Sequence, residues 1–103
     1  MNTKLPPPDD DYWNTVPLSE SCMAWRIELV SVERVESKPL LGKELPLEPD
    51  FPDWVALKRQ LQPDDELWTF DSPKRFWHEG MGWRGIVLVR AGCYVAVCIS
   101  AMN

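Results

Sequence analysis

The chain's only histidine, His78, and its three cysteines, Cys22, Cys93 and Cys98, are the side chains best suited to hold a metal or attack a substrate. Together they would make a Cys3His zinc set. Their spacing argues against it: no CxxC pair occurs, and Cys93 and Cys98 stand five apart in a strand-like run, which points them to opposite faces. A thiol hydrolase would need one of these cysteines beside His78 and an acid such as Glu79 or Asp71. An active thiolate also needs an electropositive, partly open setting, and Cys93 and Cys98 lie in a valine-rich run instead. Paired carboxylates of the glycosidase kind occur only in runs that look solvated, such as Asp64-Asp65-Glu66. The expectation is therefore a chain with no catalytic residue, no metal ligand and no cofactor site.

The segment Phe76-Trp77-His78-Glu79-Gly80-Met81-Gly82-Trp83-Arg84-Gly85 is glycine-rich and aromatic. A phosphate cradle follows a strand and opens a helix, so that backbone N–H groups converge on the anion. Here the order is reversed, since a helix precedes the glycines and a strand follows them. The glycines read as a helix stop and a strand entry. Tryptophan and arginine are also the residue types that most often anchor protein interfaces. Trp77, His78, Trp83 and Arg84, with Trp68 on the preceding strand, are accordingly the candidate partner-binding residues.

The elements that position these side chains follow from periodicity. Residues 1–22, with Pro6-Pro7-Pro8 and Asp9-Asp10-Asp11, predict a flexible or strap-like tail, and residues 23–103 a single domain. Met23 to Val35 alternates as a strand, with Trp25, Ile27 and Leu29 on the core face and a bulge near Leu29 to Ser31 where the phase flips. Residues 36–49 read as a loop held to the domain by its leucines. Asp50 is placed to cap a helix of about three turns, whose apolar stripe is Trp54, Leu57 and Leu61 and which Pro63 stops. Glu66 to Phe70 is a short strand. Asp71-Ser72-Pro73 opens a shorter helix through about Glu79, ended by Gly80 and Gly82. Gly85 to Arg90 and Cys93 to Ile99 form a hairpin around Arg90-Ala91-Gly92, with Gly92 in a tight turn with a glycine bulge. Both strands are apolar on both faces, so both faces must be covered. Helices cover one; the other needs the N-terminal strap, the 36–49 loop or another molecule. The fold class is α+β: an antiparallel sheet of about four strands with one main and one short helix, in the chain order β-α-β-α-β-β.

Length and charge restrict the function. A chain of 103 residues closes one core. Its net charge of −5, with no basic run longer than Lys74-Arg75, makes nucleic acid a poor partner, because such binding rests on neutralising phosphates. A basic protein surface suits it better. No apolar run approaches the ~20 residues that span a bilayer, and the polar, proline-rich start is unlike a secretory signal. A cytoplasmic location is expected, with no membrane partner.

The spaced pattern Asp65-Glu66-Leu67-Trp68, Phe70, Ser72-Pro73, Trp77, Gly82, Gly85-Ile86, Leu88-Val89-Arg90, Gly92 and Met102-Asn103 resembles the C-terminal block of a group of small bacterial proteins without assigned activity. The resemblance covers Asp65 to Asn103 and implies a bacterial, cytoplasmic protein of compact α+β fold. It implies no cofactor or catalytic residue. His78, Glu79 and Trp83 fall outside its fixed positions. Acidity, six tryptophans and the absence of a catalytic set favour a non-enzymatic protein that binds a protein partner, of the immunity, inhibitor or accessory type. The alternatives are a small-molecule binder or minor enzyme with a pocket near Trp68, Trp77 and Arg84, and a self-associating structural protein that forms homo-oligomers.

Overall fold

Ala91 and Gly92 both take positive φ, 51° and 80°, and Arg90 pairs directly with Cys93. Two left-handed residues between paired strands make the hairpin turn whose twist matches that of the strands it joins. The turn connects β3 (Trp83–Arg90) to β4 (Cys93–Met102). The expected glycine bulge is displaced into the ladder: Leu88 pairs with Ala96 and Val89 with Tyr94, which leaves Val95 as the extra residue.

The computed structural model describes residues 18–39 and 46–102 of the chain. Four strands form one antiparallel sheet in the order β1-β2-β3-β4, where β1 is Arg26–Val30 and β2 is Glu66–Asp71. Around it, among the described residues, lie four short helices: α1 (Leu18–Ala24), α2 (Val32–Ser37), α3 (Pro52–Lys58) and α4 (Lys74–His78). The α+β class and the four-stranded sheet are as the sequence predicts.

The first third of the chain departs from expectation. Residues 18–22 belong to α1, where Ser21 and Cys22 are fully buried, so the expected tail gives way to a helix before residue 23; residues 1–17 lie outside the described residues. The single strand over Met23 to Val35 is instead the end of α1, β1 and α2. The phase flip is a strand-to-helix change, not a bulge. Ser31 caps α2, its hydroxyl accepting the Arg34 N–H at 3.1 Å, and Val32 and Val35 then fall on one helical face. A bulge does occur in β1, but at Ile27: Arg26 pairs with Phe70 and Glu28 with Thr69. There the Glu28 N–H donates to Thr69 Oγ1 at 3.0 Å, and the hydroxyl donates back to the Glu28 carbonyl at 3.4 Å.

The main helix is also shorter than its sequence stripe. α3 spans seven residues, Phe51 takes the capping position without a side-chain bond, and Pro52 opens the helix. Bonds from Gln60 N–H to Leu57 O and from Leu61 N–H to Lys58 O continue the chain in a tighter turn, which keeps Leu61 against the core.

Both sheet faces are covered within the chain. Leu67, Ile86, Leu88 and Cys98 meet Val35 of α2, Trp54 and Leu57 of α3, and Leu47. Leu47 is held by its N–H to the Val35 carbonyl at 3.2 Å, so this part of the 36–49 segment does lie on the domain; residues 40–45 are outside the described residues. Between α2 and α3, Glu36 accepts both the Trp54 indole N–H at 2.7 Å and the Lys58 ammonium at 2.6 Å. These bonds, Lys58 first, hold the Glu36 carboxyl below the usual carboxylate range. The second face carries Phe70, Val87 and Val89 against Cys22, Trp25 and Phe76. Thus α1 and α4 provide the cover that the sequence left among several sources.

Candidate interaction surface

The aromatic corner forms where α4 stops. The Met81 N–H bonds to the Phe76 carbonyl at 2.8 Å and the Gly80 N–H to the Trp77 carbonyl at 3.3 Å, with Gly80 at φ 75°. This pair of bonds is the Schellman stop, and it needs a left-handed residue where Gly80 stands. Gly82 serves a different purpose from the helix stop expected of it. A Cβ on Gly82 would run into the Trp77 indole, so the glycine is what lets the ring lie flat against the backbone.

Asp71 organises the rest of the corner. Its carboxylate accepts the Trp77 indole N–H at 2.8 Å and lies 3.4 Å from Arg84 Nε, with the Asp71 side chain only 7% exposed. The Arg84 guanidinium sits over the Trp77 ring at 4.6 Å. Next to this triad, Ser72 is buried and ties down Trp83: its hydroxyl accepts the Trp83 N–H at 2.7 Å and donates to the Trp83 carbonyl at 2.8 Å. Trp83 then meets Trp25 edge-on at 6.2 Å, and Trp25 meets Phe76 edge-on at 5.3 Å.

The five sequence-selected residues therefore separate. Trp77 and Arg84 come together, against each other and against Asp71 and Gly82. Trp83 joins the second core, and His78 is exposed at the end of α4. Trp68 stands apart, half-buried, its indole N–H donating to Glu66 at 2.9 Å and the Arg26 guanidinium over its ring at 5.2 Å. The cysteines are not brought together either. Cys22 lies in one core and Cys98 in the other, while Cys93 is exposed beside the hairpin turn. Burial pushes the Cys22 thiol up to about 11 and the Cys98 thiol up to about 12, so both are protonated and unreactive near neutrality. Among the described residues, no group of three or more His, Cys, Asp or Glu could hold a metal ion, and no helix is long and apolar enough to cross a membrane.

A second region emerges at β1, the edge of the sheet. Ile27 and Leu29 are 55% and 56% exposed, although both are large and apolar. Their charged neighbours are engaged within the chain. Arg26 donates to the Met23 carbonyl at 2.8 Å and covers Trp68, and Glu28 lies 3.8 Å from Arg34. Leu29 pairs with Trp68 across the ladder, so the two side chains share a face. Val30 pairs with Leu67 and so lies on the other face, where a groove of about 330 Å³ has the apolar lining Val30, Val32, Leu61 and Leu67, with Leu29, Asp65 and Glu66 at its rim.

One wall of that groove is rigid. Pro63 and left-handed Asp64 turn the chain from α3 into β2, closed by the Asp65 N–H to the Gln62 carbonyl at 3.1 Å. The Asp65 carboxylate accepts the Gln62 N–H at 2.9 Å and two bonds from Arg90, at 2.9 and 2.8 Å. Arg90 also reaches the Gln60 carbonyl at 2.8 Å. Paired with Arg90, the Asp65 carboxyl is held below its ordinary range.

Sequence reading placed Ile27 and Leu29 in the core and missed this region. The available signal was topological: the first strand of a meander is an edge strand, the one the chain covers least. Compared with known proteins, the chain matches no family model, no curated protein and no solved structure.

Proposed function

We propose that this chain is a non-enzymatic binding protein that docks a protein partner, of the immunity, inhibitor or accessory type, through the β1 edge and its groove. The observation that carries the reading is the exposure of Ile27 and Leu29 on an edge strand, with Trp68 on Leu29's face and an apolar groove on the opposite face of that strand. Contiguous apolar surface with a polar rim is what partner-binding sites have in common, and the aromatic anchor type is present in Trp68. The corner at Trp77 serves this reading as scaffold, since its rings and charges are engaged with one another. Docking fits a chain of net charge −5, for which complementary fields select a basic partner.

The test is a photo-reactive phenylalanine analogue placed at position 29 in cells of the native host, with the same probe at exposed His78 for comparison. A protein adduct formed from position 29 and not from position 78 supports the reading. Equal labelling from both positions, or none from position 29, overturns it.

A further inference from the structure

Resting on that reading, we propose that the segment received at the β1 edge is basic and extended: a strand in which Lys or Arg alternates with apolar residues, as opposed to a helix, an acidic segment or a second copy of this chain. Two observations lead there. First, β1 is terminal in the strand order, so one side of its backbone meets no strand of the sheet among the described residues. Glu28 turns its N–H and carbonyl inward to Thr69, and the alternation of an antiparallel ladder turns those of Leu29 outward. Outward backbone groups beside an exposed apolar side chain are what an added strand uses: main-chain bonds supply affinity and alternate side chains enter pockets. An added strand sends alternate side chains to the two faces, one set beside Leu29 and Trp68 and the other over the groove beside Val30.

Second, the rim has a sign. Among the described residues the groove's lining includes no cation, and nearby Arg34 and Arg90 are paired with Glu28 and Asp65. Glu66 of the lining is exposed at the start of β2, and so are Glu33, next to Val32 on the first turn of α2, and Asp64, next to Asp65 on the Gln62–Asp65 turn. Lys or Arg on the groove side of an added strand, whose apolar residues would lie beside Leu29 and Trp68, would meet these carboxylates, whereas a second copy would bring the same acidic rim and be repelled.

The experiment titrates the full chain into a fluorescein-labelled ten-residue peptide of alternating Lys and Val, with two counterparts in which Glu replaces Lys or Ser replaces Val. The Lys-Val peptide should bind at least about tenfold tighter than either counterpart, because both the charge and the apolar anchors are then matched. Amide shifts on binding should concentrate at residues 27–32 and 61–67. Leu29→Ser and Glu33→Lys should each weaken binding about fivefold or more, with melting curves confirming that both variants remain folded. Equal affinity for the Glu-Val peptide, shifts centred elsewhere, or indifference to Leu29→Ser overturns the inference. So does light scattering that shows a dimer with β1 at its interface. The cellular crosslink separates the two claims. A partner captured at position 29 through a segment without Lys or Arg overturns the basic-strand inference and leaves protein docking intact, whereas the absence of any adduct at position 29 removes the reading beneath it.

Discussion

The Trp77 corner and the β1 edge present opposite relations between residue type and role. The corner contains what usually marks a site: tryptophans, an arginine, a histidine and glycines in ten residues. Folding engages its tryptophans and arginine within the chain and leaves His78 outside, with Trp77 held by Asp71, Arg84 and Gly82, and Trp83 held by Ser72 and Trp25. The edge has the ordinary sequence Arg26-Ile27-Glu28-Leu29-Val30, and folding leaves its apolar residues outside. The lesson is that a side chain's capacity for recognition counts only after its intramolecular partners have been subtracted. Arg84 and Trp77 satisfy each other; Ile27 and Leu29 have no such neighbours over about half their surface.

The largest expected effect tests the corner. Trp77→Ala removes a half-buried ring, the bond to Asp71 and the surface under Arg84, and should destabilise the protein by about 3 kcal/mol. Urea unfolding measures this, and a loss within the range of surface substitutions would mean that the corner is not scaffold. Gly82→Ala comes next. The new methyl has no room beside the indole, and overpacking of this kind costs about 1–3 kcal/mol. If Trp77→Ala relieves much of the Gly82→Ala defect in the double variant, the clash is the cause.

Acid sharpens the other side of the comparison. Asp65 has a folded-state pKa depressed by Arg90, so the stability it contributes is full above the unfolded carboxylate value of about 4 and is lost as pH falls through the lower folded value. Asp65→Asn should therefore be less stable than the parent near neutrality, and the gap should close as pH falls below the unfolded carboxylate value. A constant gap across that range would show that the carboxylate's charge is not what holds the groove wall. The smallest effects on stability belong to Leu29→Ser and His78→Ala, both within about 0.5 kcal/mol as exposed substitutions usually are. They should differ in binding to the Lys-Val peptide, with the first weakening it about fivefold or more and the second leaving it unchanged.

How much was legible follows the reach of the interactions. The β3–β4 hairpin, the stop at Gly80 and the Trp54, Leu57, Leu61 stripe are set by neighbours within a few residues, and periodicity and turn chemistry locate them. α1 and α2 are not set that way. Helices of seven and six residues have little stability of their own, so tertiary contacts decide them: Cys22 and Val35 are each fully buried against the sheet. Ser31 was ambiguous for the same reason, since a cap and a bulge both interrupt alternation. Ile27 and Leu29 alternate with charges as core residues do, and only the strand order shows that their face lies at the rim. Gly82 could not be assigned to Trp77 from sequence, because glycine near a helix end already has a sufficient local explanation.

The central position of β3 has a further consequence in time. Ile86, Val87, Leu88 and Val89 are all buried, alternately in the two cores, and strands flank β3 on both sides. Its amide hydrogens should exchange with solvent only when the whole domain opens, whereas those of β1 should exchange through local fraying. Rigidity would then decline across the sheet from β3 toward β1, so that the strand proposed for docking is also the one that rearranges at the lowest free energy.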